Sequence, residues 1–89
     1  MKVVITVLGK DRVGIIAKVS AILADSNVNI LDISQTILQD YFTMIMLAQI
    51  LDARLTVEEL SRRLEPVEEE LGVQVRVQAE AIFTAMHRI

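Results

Sequence analysis

The hydrophobic residues of this chain change their spacing several times, and the order of these changes limits the possible folds more than any other feature. Runs with a period of two indicate strands, and stripes that recur every three or four residues indicate amphipathic helices. The pattern predicts strands over residues 2–8, 28–39, 41–51 and 73–78, and helices over residues 13–26, 57–71 and 79–89.

The predicted order is strand, helix, strand, strand, helix, strand and a short C-terminal helix. This order is typical of an α+β fold, the ferredoxin-like βαββαβ sandwich. We expect both long helices on one face of a four-stranded antiparallel sheet, with the other face left to a partner or to water. The strand at residues 41–51 is apolar on both sides in its middle, which indicates that both of its faces are covered.

The second long helix carries clear signals at its two ends. Thr56 with Glu59 three residues later matches a capping box, and Gly72 is a suitable C-terminal stop. Pro66 lies between them, where it removes one backbone hydrogen bond and clashes with the preceding turn. We expect Pro66 either to kink this helix or to open a second short one.

The length and composition exclude several classes of protein. Eighty-nine residues fit one domain, residues 1–89, which we divide into a core at 1–78 and a tail helix at 79–89. No run approaches the roughly 18 apolar residues of a membrane span, and no secretory signal is visible. The absence of cysteine excludes disulfides and thiolate metal sites, and a net charge of −3 with 3% aromatic residues argues against nucleic acid. We therefore expect a cytoplasmic protein without nucleic-acid or membrane partners.

Few residues of this chain suit catalysis or metal binding. His87 is the only histidine and lies near the C-terminus, and no histidine or carboxylate cluster has metal-ligand spacing. Asp32 and Asp40 would lie roughly 26 Å apart along one strand, too far for acid–base cooperation. The acidic run around Glu65–Glu70 reads as a solvated helix face. We expect no catalytic residue, no metal and no cofactor.

The loop after the first strand is the best candidate for binding. Lys10, Asp11, Arg12 and Gly14 precede a helix, whose first backbone N–H groups favour an anion. Gly14 has no Cβ, so a ligand can approach its backbone closely. An ordinary structural interpretation is equally open, with Asp11 as the helix cap, Gly14 in a turn and the asparagines at 27 and 29 as a C-cap.

The residues of this loop and of the next strand resemble the ACT domain family. The segments are Gly-Lys-Asp-Arg-Val-Gly-Ile-Ile at 9–16, Ala-Lys-Val-Ser-Ala-Ile-Leu-Ala at 17–24 and Asn-Val-Asn-Ile-Leu-Asp-Ile-Ser-Gln at 27–35. Including the tail at 82–89, the whole chain is similar to standalone ACT proteins of about 90 residues that are largely uncharacterised. It resembles less closely the ACT domains of the glycine-cleavage repressor and of formyltetrahydrofolate deformylase.

This resemblance implies a ferredoxin-like fold and a role in sensing small molecules, commonly amino acids. ACT ligands usually lie between the first loop of one subunit and strand two of its neighbour. By position, this nominates seven residues for ligand binding: Asp11, Arg12, Val13, Gly14, Ile15, Asn29 and Ile30. Two departures from the family are Pro66 and the stretch Ala79-Glu80-Ala81, where the family has more polar groups.

Three functional hypotheses follow. The first is a non-catalytic regulatory protein, a homodimer or higher homo-oligomer, that binds a small amino acid or related metabolite at a subunit interface. The second is an interaction module that regulates a partner without a ligand. The third, an acylphosphatase-like hydrolase, is suggested by Arg12 and Asn29, but the glycine–arginine–valine–glutamine run of that family is missing.

Overall fold

Seven elements follow one another in the predicted order. The computed structural model describes residues 1–10 and 13–86 of the chain. Its elements are β1 (Lys2–Lys10), α1 (Ile15–Asp25), β2 (Val28–Leu38), β3 (Tyr41–Ile50), α2 (Val57–Leu71), β4 (Gln74–Ala79) and α3 (Glu80–Met86). The ferredoxin-like βαββαβ prediction, with a short C-terminal helix, is confirmed.

The four strands form one sheet in the order β2-β3-β1-β4. All three neighbouring pairs are antiparallel, and the central strand β1 pairs on both sides, for example Ile5 with Met46 of β3 and with Val77 of β4. The two edge strands are therefore β2 and β4. The crossover from β1 through α1 to β2 places β2 at an edge, with β3 between it and β1.

One face of the sheet packs against α1 and α2, and we call it the covered face. Its strand residues alternate with polar ones as the sequence predicts, and the facing helix residues recur at helical spacing. The core joins Val3, Ile5 and Val7 of β1 and Phe42, Met44, Met46 and Ala48 of β3 to Ile15, Val19 and Leu23 of α1 and Leu60, Leu64, Val67 and Leu71 of α2. The opposite face is the open face.

The start of α2 and the C-terminal ends of α1 and α2 agree with the sequence, whereas α1 begins at Ile15, two residues later than predicted. Asn27 adopts the left-handed conformation after α1, with φ 59°, and Gly72 does so after α2, with φ 67°. The Oγ1 atom of Thr56 accepts a hydrogen bond of 3.1 Å from the N–H of Glu59, which confirms the capping prediction.

The alternative in which Pro66 opens a second helix is wrong, because α2 continues through this residue from Val57 to Leu71. The side chains of Leu64 and Val67 on either side are buried in the core, whereas Pro66 itself is exposed. Packing of the flanking residues holds the helix together where one backbone hydrogen bond is missing.

A bulge in β2 changes the alternation that the sequence suggests. The register passes from Ile30 opposite Ala48 directly to Asp32 opposite Leu47, so that Leu31 has no partner. Because the bulge inserts one residue, the side chains of Ile30 and Ile33 share the covered face, although three positions separate them.

Two further expectations need correction. Ala79 pairs with Val3 and ends β4, so α3 begins one residue later than predicted. The strand β3 is not covered on both faces within one chain, because Tyr41 and Ile45 on its open face are 55% and 41% exposed. The remainder of the predicted tail, residues 87–89 with His87, lies outside the described residues.

Candidate functional site

Gly14 is the residue around which the candidate site is built. It is the N-cap of α1 and adopts a left-handed conformation, with φ 94° and ψ 0°. Its carbonyl accepts the N–H of Lys18 at 2.9 Å, which closes the first turn. A Cβ added here would meet no atom within 4 Å, so the backbone conformation, and not crowding, favours glycine.

The first turn of α1 presents backbone donors that the helix itself does not pair. The N–H groups of Ile15, Ile16 and Ala17 have no acceptor within the helix, because an α-helix leaves its first amides unpaired. Gly14 has no side chain to accept from them, and no acidic residue lies in this first turn. The end of the helix therefore favours an anion such as a carboxylate.

A cavity of about 220 Å³ opens directly beside this turn. Its helix side is formed by the residues that carry the unpaired amides, and its opposite wall comes from the ends of β2 and β3. The lining residues are Gly14, Ile15, Ile16 and Ala17 on one side and Gln35, Ile37 and Phe42 on the other. The cavity lies on the covered face, because Gln35 pairs with Met44 and Ile37 with Phe42, both core residues.

Gln35 is a polar residue of the cavity that sequence reasoning missed. Gln35 lies on the same face as Ile33 and Ile37 by strand alternation, and its pairing with Met44 turns this face towards the core and the cavity. The available signal was a lone glutamine between two isoleucines at a spacing of two. Only the pairing with β3 shows which face these residues share.

The residues predicted from the loop lie at different positions relative to the cavity. Gly14 and Ile15 line the cavity, but the Ile15 side chain is 2% exposed and packs in the core, so only its backbone can face a ligand. Val13 is 99% exposed. The predicted residues Asp11 and Arg12 lie outside the described residues.

The predicted residues of β2 lie at the other end of the strand. Asn29 pairs with Gln49, whereas the cavity is lined by Ile37, eight positions further along. At about 3.3 Å per residue, this separates them by roughly 26 Å. Asn29 is exposed and Ile30 is half-buried. Within one chain, Asn29 and Ile30 are therefore not brought together with Gly14.

The cavity adjoins the unpaired edge of the sheet. Every residue of β2 from Leu31 to Leu38 is exposed, and the strand pairs only with β3 on its inner side. Its outer backbone groups therefore face away from the sheet and can pair with another strand. Any molecule added along this edge would lie next to the open side of the cavity.

A second cavity, of about 510 Å³, lies between the start of α2, the end of β4 and α3. Leu55, Val57, Val77 and Ile82 give it largely apolar walls. The ammonium group of Met1 closes one side by donating to the carbonyl of Ile50 at 3.3 Å. Of the predicted binding residues that the structure describes, Val13, Gly14, Ile15, Asn29 and Ile30, none lines this cavity.

None of the described residues that line the Gly14 cavity is charged. The backbone N–H of Arg54, and then its guanidinium, hold the pKa of the Asp52 carboxyl below its ordinary value, at 2.9 and 3.3 Å from Oδ1. Among residues 1–10 and 13–86, no three histidine or acidic side chains are grouped to hold a metal ion. No helix in these same ranges is long and apolar enough to cross a membrane.

The chain is similar to known proteins in its family pattern, its full-length sequence and its fold. The family model described as ACT domain matches residues 2–78. The UPF0237 protein of Clostridium acetobutylicum is 51% identical over all 89 residues of both chains. The UPF0237 protein of Methanocaldococcus jannaschii is 54% identical over 88 residues, which cover 99% of this chain and 98% of that one.

The solved structures give the same result. An ACT domain protein from Streptococcus pneumoniae superposes with a TM-score of 0.81 and 42% identity, over 98% of each chain. A formyltetrahydrofolate deformylase from Pseudomonas syringae matches with a TM-score of 0.79 and 26% identity, over 88% of this chain but 27% of its own. A glycine cleavage system transcriptional repressor, at 22% identity and a TM-score of 0.68 over 86% of this chain and 44% of its own, shares the fold.

Proposed function

The chain belongs to the ACT domain family and, within it, to the UPF0237 proteins, and from this premise we propose that it is a non-catalytic regulatory protein. In this proposal it binds a small amino acid or a related metabolite at the interface between two copies of itself, in the cytoplasm. The observation that carries the proposal is the cavity at Gly14, which has unpaired helix amides on one wall and an unpaired edge strand on the other.

The chemistry of the cavity suits the two ends of an amino acid. The α-carboxylate would accept from the N–H groups of Ile15, Ile16 and Ala17, where the helix dipole also favours negative charge. The amide oxygen of Gln35 would accept from the α-ammonium group. A cavity of about 220 Å³ is smaller than the roughly 300–1,000 Å³ of pockets for drug-sized ligands, which favours a ligand of few atoms.

A second copy would complete the site along β2. If two β2 strands paired antiparallel about a two-fold axis at Ile33, the bulge at Leu31 would set position 30 of one strand opposite position 35 of the other, and position 29 opposite position 36. Ile30 of the partner subunit would then lie opposite Gln35, which lines the cavity, whereas the partner's Asn29 would lie one position further along, on the open face. This arrangement would bring a predicted residue of β2 to the Gly14 cavity, although the two are far apart within one chain.

Binding at such an interface would couple ligand and assembly. A ligand that contacts both copies binds the assembled state more tightly than the separated state, so it shifts the equilibrium towards assembly. The regulatory signal would be this change in assembly or in a surface that depends on it.

A thermal-shift series tests the proposal. We expect at least one of the twenty amino acids, purines or folates at millimolar concentration to raise the melting temperature, because a ligand that binds only the folded state stabilises it. Gly14→Val should abolish this response, since a β-branched side chain is strained at φ 94° and would stand beside the cavity.

Gly72→Val is the matched control, because Gly72 has φ 67°, equally open space and a position after α2, away from the cavity. It should lower the melting temperature similarly but keep the ligand response. If none of the compounds shifts the melting temperature of the unsubstituted chain, small-molecule sensing is wrong.

The ligand-free interaction module is a second candidate function. The exposed apolar side chains of Val13, Ile37 and Leu38 favour it, because they lie at one end of the domain, around the Gly14 cavity, and grouped apolar side chains can form a contact surface for another protein. Under this hypothesis Gly14→Val would leave partner binding intact, and no compound would shift the melting temperature. An acyl-phosphate hydrolysis assay with no turnover would exclude the acylphosphatase-like alternative.

A further inference from the structure

The register of the sheet fixes which side chains share the open face. Directly paired residues lie on the same face, so each row across the sheet can be read from the pairings. A first row, at the end near α3, holds Asn29, Gln49 and Lys2. The next four rows towards the β2–β3 turn are Asp32, Leu47, Val4 and Gln78; Ser34, Ile45, Thr6 and Arg76; Thr36, Thr43, Leu8 and Gln74; and Leu38, Tyr41 and Lys10.

The middle of this face is apolar and only partly shielded. Val4 is nearly buried, but Leu8 is 44% exposed, Ile45 41% and Tyr41 55%. These three lie on the adjacent strands β1 and β3, within two rows of one another. A continuous apolar surface at the centre of a sheet face is characteristic of a surface that another molecule covers.

The open face carries charges on three strands: Lys2 and Lys10 lie on β1, and an opposite pair lies on the two outer strands. Asp32 is on β2 and Arg76 on β4, one row apart, and both are exposed. Neither forms an ion pair within residues 1–10 and 13–86. The carboxylate of Asp32 accepts only a local hydrogen bond, from the N–H of Ile33 at 2.8 Å.

We propose that the open face packs against the open face of a second copy, about a two-fold axis parallel to the strands. Such an axis exchanges left and right, so β2 of each copy lies over β4 of the other. The one-row offset between Asp32 and Arg76, roughly 7 Å along the strand, is within reach of an arginine side chain. Two identical ion pairs then flank the apolar centre, and the face is complementary to itself.

The size of the face is sufficient for this pairing. Four strands at about 4.8 Å and four rows at about 6.8 Å, with their side chains, give a face of roughly 500 Å² per copy. Two copies together bury about 1,000 Å², which is the lower limit for a specific interface. An interface of this size with a mixed apolar and charged surface associates reversibly.

This surface is separate from the outer edge of β2. The edge would pair through backbone groups of β2, whereas the open face uses side chains that point away from the helices. Both contacts can therefore form at once, but their two-fold axes do not cross, since one passes outside β2 and the other over the centre of the sheet. Together they join copies into an open-ended chain and not into a closed tetramer. The open-face contact stands whether or not the edge contact of the proposed function forms.

Sedimentation velocity on charge-exchanged variants tests the proposal. Asp32→Arg and Arg76→Asp each place two like charges opposite each other, and each should weaken association by about tenfold and lower the mass of the assembly. The double variant carrying both changes restores opposite charges, so its mass should return to that of the unsubstituted chain. The mass of each single variant should fall to that of a dimer if the edge contact also forms, and to that of a monomer if it does not.

Glu65→Arg is the matched control, because it changes net charge as Asp32→Arg does but lies on the exposed side of α2. It should leave the mass unchanged. Ile45→Lys, at the apolar centre, should separate the copies without unfolding the chain, as circular dichroism would show. Single variants with unchanged mass, or a double variant no heavier than the singles, would overturn the proposal. Ligand-induced shifts should persist in these variants, because the Gly14 cavity lies on the covered face.

Discussion

The two edge strands of the sheet differ in length, burial and protection. Strand β4 has six residues, and its backbone N–H at Val75 donates to the Glu68 carboxylate at 3.1 Å. Strand β2 has eleven residues, and its side chains from Leu31 onwards are exposed. Both strands pair on one side only, yet α2 reaches over β4 and leaves most of β2 uncovered.

This difference indicates where the molecule can associate. A long exposed edge strand with apolar side chains pairs with other strands unless something blocks it, and short or side-chain-capped edges do not. A carboxylate occupies one backbone donor of each strand, Glu68 at Val75 of β4 and Asp32 at Ile33 of β2, but only β4 is also covered by α2, so its edge is less available. The acidic run of α2, which the sequence suggests is only solvated, thus has structural contacts, since Glu70 also forms an ion pair with Lys18 of α1.

The largest expected difference in stability is between two truncations to alanine, one in α2 beside β4 and one in β2. Leu64 of α2 is fully buried in the layer that supports β4, whereas Ile37 of β2 is 56% exposed. We expect Leu64→Ala to lower the free energy of unfolding by about 2–5 kcal/mol through lost burial and a cavity. Ile37→Ala should cost less than about 1 kcal/mol in the single chain. Urea denaturation measures both, and equal losses would show that β2 is packed as firmly as β4.

A smaller loss of stability is expected from a side chain added at Gly9 of β1, which lies against Val73 just before β4. A Cβ on Gly9 would lie 2.9 Å from Cγ1 and 3.1 Å from Cα of Val73, and the backbone atom cannot move aside easily. We expect Gly9→Ala to destabilise the chain by about 1–3 kcal/mol. Adding Val73→Ala should not rescue it fully, because the contact with Cα remains. A melting temperature equal to that of the unsubstituted chain would show that this edge is looser than its geometry indicates.

The smallest effect concerns the cap on the β4 edge itself. Glu68→Ala leaves the N–H of Val75 without its carboxylate acceptor, and we expect a loss of about 1–2 kcal/mol. Glu68→Gln keeps an acceptor oxygen and should lose less. Hydrogen exchange of the Val75 amide gives the local measurement: the rate should rise in the alanine variant and stay closer to the original in the glutamine variant. If neither variant changes the exchange rate of the Val75 amide, the Glu68 carboxylate does not protect the edge of β4.

The candidate site was only partly predictable from the sequence. Gly14 and the start of α1 were accessible, because glycine before an apolar helical stripe indicates a helix N-terminus with free amides. Gln35 was not, because its position in the cavity depends on pairing with Met44 of β3. The position of Asn29 at the far end of β2 also depends on the antiparallel course of that strand.

The sequence by itself determined the order and type of the elements and several of their ends. Hydrophobic period, the Thr56 cap and the left-handed positions at Asn27 and Gly72 are local properties, readable within a few residues. Only the tertiary structure decided the faces: the bulge in β2, the continuation of α2 through Pro66 and the exposure of β3 on the open face. Each of these depends on partners that are distant in the sequence, because strand register and helix packing are decided by contacts between elements.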